Sequence, residues 1–295
     1  MKFVDPTNDV AFKKIFGNEQ KKEVLISFLN AVLDLSGEKV IEDVEILNPY
    51  QAPRIEGLKY TLLDVRALDK RGITFIVEMQ VENVAGYKQR FLYYAAKAYS
   101  DQIERGEDYP RLNQVIFIGI LDFVGFEGDK YLSRHLILNQ ETLSHEITDL
   151  ELNFVELPKF TKSESELVTI LDKWLYFIKN AADLSIVPEN SDVPGLQSAY
   201  EIANRFSWSK DEMEVYNYWG IKAQDRRGAL QVATEKAMQR GLEAGMEQGL
   251  EQGLEQGKRD ERINIARTMI AQGMDINTIS TITNLSVEKI TKLQT

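Results

Sequence analysis

Leu58-Lys59-Tyr60-Thr61-Leu62-Leu63-Asp64-Val65-Arg66-Ala67-Leu68, then Asp69-Lys70-Arg71-Gly72, then Ile73-Thr74-Phe75-Ile76-Val77-Glu78-Met79-Gln80-Val81 is the stretch whose reading decides the fold. Two runs dense in Val, Ile, Phe, Tyr and Thr flank a short polar break that ends in Gly, the pattern of a β-hairpin. If Lys70-Arg71-Gly72 is a three-residue loop with Gly72 in the left-handed region, opposed residue numbers sum to about 142 and Asp64 faces Glu78. Alternation along each strand places Leu63, Val65, Ala67, Phe75, Val77 and Met79 on one apolar face and Asp64, Glu78 and Gln80 on the other. Opposed Cβ atoms lie roughly 4.5–5.5 Å apart, where two like charges destabilise a sheet. A divalent cation is the natural compensation, because hard ions such as Mg²⁺ are held by one or two carboxylates with waters and phosphate oxygens. The plain alternative is two acidic residues on the solvated face of an ordinary hairpin.

Outward from the hairpin, the chain reads as helix, strands, helix, strand. Thr7 or Asn8 can cap a short helix with Phe12, Ile15 and Phe16 on one face, and a second helix over about Lys21 to Leu33 carries Val24, Leu25, Phe28, Leu29 and Val32 inward. Asp9 and Lys13 then stand one turn apart, as an i,i+4 ion pair. Val44 to Leu47 reads as a strand stopped by Asn48-Pro49. Tyr87 to Ile103 reads as an amphipathic helix with Leu92, Ala96, Tyr99 and Ile103 in one apolar stripe and Phe91, Ala95 and Ala98 in the next. Arg90, Tyr94, Lys97 and Asp101 fall on the opposite side, either as a solvated face or as contacts to a nucleic-acid strand. Gln102 projects among apolar residues, where a buried amide wants partners and can support the site from behind. Val115 to Leu121 is an apolar run of the length of a buried strand.

The pattern Asp64 followed by Glu78-Met79-Gln80 resembles the PD-(D/E)XK nuclease motif, with Gln80 where Lys is usual. The opening Asp5-Pro6-Thr7-Asn8-Asp9-Val10-Ala11-Phe12-Lys13-Lys14-Ile15-Phe16-Gly17 resembles the Rpn family of recombination-promoting nucleases, also described as PD-(D/E)XK nuclease family transposases. The likeness extends over most of the chain, through Glu156-Leu157-Pro158-Lys159-Phe160 and the glycine-periodic tail. It implies an α/β fold with a restriction-endonuclease-like αβββαβ core followed by a helical C-terminal region. It further implies a metal-dependent DNA endonuclease associated with recombination or mobile elements, with Asp64 and Glu78 on Mg²⁺ or Mn²⁺ and Gln80 positioning water. Asp9 becomes a third carboxylate at the metal, and Lys13, Arg90, Tyr94 and Gln102 become substrate-binding or supporting residues. The competing expectation is a catalytically weak or inactive nuclease-fold protein acting as an oligomeric DNA-associated scaffold.

Composition narrows the chemistry. With no cysteine and two histidines, disulfides and thiolate sites are excluded and any metal must sit on oxygen. No apolar run is long enough to span a bilayer and the N-terminus lacks the pattern of a secretory signal, so a cytoplasmic location without membrane partners is expected. A net charge of −11 argues against broad coating of DNA, so local basic patches are needed. Lys13, Lys14, Lys21, Lys22 and Lys70-Arg71 are the candidates.

Four segments are expected: a nuclease-like domain over 1–160, a helical region over 161–235, a glycine-periodic helix or linker over 236–258 and a small helix-turn-helix-like tail over 259–295. His135 and His145 read as structural, and Trp208 and Trp219 as core anchors of the helical half. A loop with Pro188 and Pro194 is expected ahead of a helix over Leu196 to Phe206. Gly241, Gly245, Gly249, Gly253 and Gly257 recur every four residues beside Leu242, Met246, Leu250 and Leu254. Such spacing permits close approach of a second helix, so residues 238–258 read as a homo-oligomer contact, with a flexible linker as the rival. In the tail, Lys289 and Lys292 are the only basic residues after Arg267, which argues against groove reading.

Overall fold

The expected hairpin forms the centre of a six-stranded mixed sheet in the computed structural model, which describes residues 2–51, 61–104, 107–189 and 191–293. Leu58, Lys59 and Tyr60, the head of the first hairpin run, lie outside the described residues. In chain order the strands are β1 (Val44–Leu47), the two-residue pair β2 (Tyr50–Gln51) and β3 (Thr61–Leu62), β4 (Val65–Asp69), β5 (Thr74–Gln80), β6 (Val115–Leu121), β7 (Leu132–Ile137) and β8 (Ile147–Glu156). The main sheet runs β1-β4-β5-β6-β8-β7. Its β1/β4, β4/β5 and β7/β8 pairs are antiparallel, and β5/β6 and β6/β8 are parallel. Val65 pairs with Val77, Ala67 with Phe75 and Leu68 with Thr74, the register expected from the turn. Gly72 has φ +83°, which an L side chain seldom adopts.

One face of the sheet is covered by α1 (Asp9–Phe16), α2 (Lys22–Leu33), α4 (Ile170–Asn180) and α5 (Pro194–Ala203), the other by α3 (Tyr87–Ser100). Asn8 caps α1 through its side-chain oxygen, and Thr169 with Asp172 forms a reciprocal capping box on α4. Phe75, Val77, Ile116, Ile118 and Val155 meet Phe12, Phe16, Phe28 and Trp174 on the first face. Ile76, Phe117 and Phe154 meet Phe91, Ala95 and Ala98 on the second. A fully buried aromatic or aliphatic side chain stabilises by about 1.5–3 kcal/mol, so these two layers dominate the energetics.

Several expectations change. Leu63 joins the α3 side of the sheet, not the face of Val65 and Ala67, because strand pairing begins only at Val65 and the alternation breaks before it. On α3 the buried stripe is Tyr87, Phe91, Ala95 and Ala98, while Leu92 is 51% exposed, and the helix ends at Ser100. Pro194 is the first residue of α5, where its missing N–H costs nothing, rather than part of the preceding loop. No separate core begins at residue 161: Trp174 packs its ring on Phe16 and Phe28, so α4 and α5 share the sheet's core. Trp208 is buried as expected and Trp219 is 43% exposed.

The chain divides into a unit over 1–222 and a second over 223–295. A 62-residue helix, α6 (Lys210–Ala271), contains the five-glycine repeat as continuous helix. In the second unit Ala266 and Met269 of α6 pack with α7 (Ile276–Thr283) and α8 (Val287–Thr291) through Ile279, Leu285 and Ile290. Among the described residues no helix is long and apolar enough to cross a membrane.

Candidate active site

Asp64 stands immediately before β4, where pairing with β5 ends at Val65 and Val77. Beyond that pair each carboxylate replaces a strand carbonyl as acceptor. Glu78 Oε1 accepts from the Asp64 backbone N–H at 2.9 Å, and Asp64 Oδ2 accepts from the Met79 N–H at 2.9 Å. The sheet's right to continue is exchanged for a fixed pair of acids. Glu78 is buried, 6% exposed, and Asp64 is half-buried.

Burial resists ionisation of both groups. Asp64 is raised to about 6 by burial, with the Lys13 ammonium and the Met79 N–H opposing the rise. Glu78 is raised well above the usual carboxylate range by burial and by the Asp64 charge. Lys13 Nζ lies 3.2 Å from Asp64 Oδ1 and 3.0 Å from Asp9 Oδ1. Burial works against that ammonium, but Asp64 and Asp9 outweigh it and leave its pKa raised.

Asp9 stands beside Asp64, which its charge and a side-chain hydrogen bond help to raise, and Lys13 is ion-paired to both. Among the described residues no group of three or more His, Cys, Asp or Glu side chains is arranged to hold a metal ion. Of the three carboxylates expected at the metal, Asp9 and Asp64 share the Lys13 ammonium, and Asp64 and Glu78 are joined through the strand N–H groups. What the chain offers a cation is the pair Asp64 and Glu78. Two adjacent carboxylates whose ionisation burial resists suit a hard divalent ion whose remaining positions are water and phosphate.

Gln80, one pleat beyond Glu78, is held at both ends of its amide. Its Nε2 donates to the Glu82 carbonyl at 2.6 Å and its Oε1 accepts from Arg90 Nη2. Arg90 also lies in the field of Glu78, and its Nε is a buried N–H with no hydrogen-bond partner among the described residues. Tyr94, one turn further along α3, is raised by burial and by the charge of Glu78. The side of α3 carrying Arg90 and Tyr94 thus lines the carboxylates. Gln102 does not join them: its amide exchanges two hydrogen bonds with the Asn113 backbone, at 2.7 and 2.9 Å, tying the end of α3 to the approach of β6.

The basic patches expected from the sequence are largely neutralised locally. Lys14 pairs with Glu212 and sits over the Trp208 ring, Lys21 pairs with Glu201 at 3.5 Å, and Arg71 pairs with Asp69 at 2.6 Å. Positive charge near the carboxylates comes from Lys13 and Arg90.

The family model described as PD-(D/E)XK nuclease family transposase matches residues 6–233, and the one described as Rpn/YhgA-like nuclease family, C-terminal HTH domain, matches residues 259–295. No curated protein and no solved structure gives a match.

Proposed function

The chain belongs to the PD-(D/E)XK nuclease family transposases, and from that premise we propose that it is a metal-dependent DNA endonuclease centred on Asp64, Glu78 and Gln80. The observation that carries the reading is the reciprocal clasp of Asp64 and Glu78, each carboxylate on the other strand's N–H although burial disfavours its charge. Such a pair weakens a fold that gives it no further use. Asp64 and Glu78 would hold Mg²⁺ or Mn²⁺, which when bound would supply the missing charge, polarise the scissile phosphate and lower the pKa of a bound water.

The chain's own residues do the rest. Gln80 Oε1, fixed by Arg90, keeps a second lone pair with which to accept a hydrogen bond from the attacking water. An amide brings no charge, and Arg90 places a guanidinium beside it from α3. Lys13 is the second cation at the phosphate, and Asp9 orients it. DNA as the partner is supported by the match of the C-terminal helices to a helix-turn-helix family domain. Self-association through residues 238–258 belongs to the same reading, supported by an unbroken helix that leaves Leu242, Met246, Leu250 and Leu254 exposed.

One observation favours the scaffold alternative. Lys13 already satisfies Asp64, as an internal cation would in a fold that has lost its metal. Plasmid cleavage separates the two. Cleavage is expected to require divalent metal, stop with EDTA and vanish in Asp64→Ala and in Glu78→Ala. Equal cleavage by either variant, with the parent's circular dichroism and melting profile, overturns the nuclease reading.

A further inference from the structure

Lys13 reaches the site from α1 and bridges two acids, its Nζ lying 3.0 Å from Asp9 Oδ1 and 3.2 Å from Asp64 Oδ1. The helix that carries it is fixed, since Phe12, Ile15 and Phe16 are buried in the core. Its ammonium is less so: the Lys13 side chain is 33% exposed and ends a flexible four-carbon stem. The two acids differ in the same respect. The Asp64 side chain is 11% exposed and that of Asp9 49% exposed, so the ammonium stands between an inner carboxylate and an outer one. Asp9 lies one helical turn from Lys13 on α1, and it remains within reach when the stem swings outward.

The inner contact is the exchangeable one. Asp64 Oδ2 accepts the Met79 N–H, and Oδ1 is the oxygen that Lys13 occupies. A divalent ion and an ammonium on one carboxylate repel each other, the more strongly for the double charge and for the burial of that carboxylate. Only Asp64 is contested, because Asp9 can keep Lys13 without it. We propose that Lys13 is an internal cation holding the place of the divalent ion on Asp64, and that it passes to the scissile phosphate, still paired with Asp9, when the ion takes that carboxylate. The inference rests on the nuclease reading and adds a coupling to it. A phosphate that draws Lys13 off Asp64 opens the metal site, and by reciprocity the ion strengthens phosphate binding. Lys13 thus positions substrate and restrains the metal site until substrate arrives, with no part in the bond cleavage.

The test uses the full chain. Mn²⁺ binding without DNA is measured by isothermal titration calorimetry for the parent, Lys13→Met, Arg90→Gln and Asp64→Asn. Lys13→Met is expected to bind Mn²⁺ roughly 10-fold more tightly than the parent. Arg90→Gln removes the same charge without freeing Asp64 and is expected to change the affinity by clearly less. Binding of a labelled DNA duplex that the parent cuts is then followed against salt concentration in EDTA. With Asp64 intact, Lys13→Met is expected to leave the slope of log affinity on log salt unchanged. With Asp64→Asn the ammonium is free for phosphate, and adding Lys13→Met is expected to reduce the slope by roughly 0.7–0.9. Equal Mn²⁺ affinity in the parent and Lys13→Met, a gain matched by Arg90→Gln, or the same slope change in both backgrounds overturns the exchange. Mn²⁺ binding that Asp64→Asn abolishes leaves the nuclease reading intact in each of those cases. If Lys13→Met does not fold, the Lys13 ammonium resonance of the isotope-labelled parent, assigned by its loss in Lys13→Arg, decides: it is expected to shift on saturation with Mg²⁺, and an unmoved signal overturns the exchange. Mn²⁺ binding that Asp64→Asn does not weaken, or none in the parent and Lys13→Met alike, overturns the metal site of the nuclease reading and the exchange with it.

Discussion

A carboxyl group whose pKa is raised on folding keeps its proton at a pH where the unfolded chain has lost it. Stability from such a group is therefore fullest below the unfolded value and falls as pH rises toward the folded one. For Asp64 the window runs from 3.8 to about 6, and Glu78 continues the fall above it. In EDTA, Asp64→Asn is expected to flatten this decline. Urea denaturation at pH 8 should show it more stable than the parent by on the order of 1–3 kcal/mol, with the gain shrinking toward pH 4. A gain that does not change with pH would show that the acid pair is not its source. Gln80 leads to a second expectation. Because Arg90 donates to its amide oxygen, Gln80→Lys sets an ammonium against a guanidinium and should depress cleavage. Arg90→Gln alone should lower the single-turnover rate by roughly 10²-fold, and adding Gln80→Lys to it should recover part of that loss. No recovery would mean that Arg90 acts through something other than its charge. The juxtaposition of Asp64 and Glu78 is legible in the sequence because a two-residue period and a turn length fix which side chains meet. The Lys13 bridge is not, since it depends on which helix reaches which strand. Gln102 was misplaced because nothing local marks Ser100 as the end of α3.

Between elements, α5 comes close to α2 at a glycine. A Cβ built on Gly195 would lie 2.3 Å from the Glu23 carbonyl oxygen and 2.6 Å from Ser27 Cβ. Neither can swing aside, because one is helix backbone and the other is the first atom of a packed side chain. Gly119, on β6, would instead meet the Phe154 ring at 2.8 Å, and a ring can tilt. Gly195→Ala is therefore expected to destabilise by about 1–3 kcal/mol in denaturant titration and to cost more than Gly119→Ala. The reverse order would show that the α2–α5 seam yields more easily than the aromatic layer under α3. Elements themselves were well marked in the sequence. Val44 to Leu47 is bounded as expected, Val115 to Leu121 is buried on every residue, and Asn8 caps α1. Packing partners were less visible. The apolar stripe of α3 could be drawn through Leu92 or through Phe91, and only the sheet beneath decides for Phe91. A boundary at residue 160 looked natural where strands give way to helices, yet Trp174 of α4 fills the layer between Phe16 and Phe28.

At the scale of the whole molecule, the glycine repeat of α6 is a cost that nothing within the described protomer offsets. Each interior glycine weakens a helix by roughly 1 kcal/mol relative to alanine. At Gly241, Gly245, Gly249, Gly253 and Gly257 a Cβ would find no atom within 4 Å. Glu247, Glu251 and Glu255 add like charges at i,i+4, a further destabilisation of a few tenths of a kcal/mol per pair. The neighbouring Leu242, Met246, Leu250 and Leu254 stay more than half exposed. A second copy laid against this face would use the missing side chains for close backbone approach and bury the leucines. Successive glycines are about 400° apart around the axis, so their stripe drifts by roughly 40° per repeat and the partner must cross it rather than follow a straight seam. Gly249→Ile with Gly253→Ile separates this from a solitary helix, because it raises intrinsic helix propensity while blocking approach. The double variant is expected to lose mass in light scattering without losing helical circular dichroism. Two centres in one assembly can cut both strands of a duplex in one encounter, whereas one centre cuts one strand at a time. The same variant should therefore convert supercoiled plasmid to the nicked form and accumulate little linear product. An unchanged mass, or a parent that is monomeric at high concentration, would leave the repeat without a partner and remove the basis for paired cleavage.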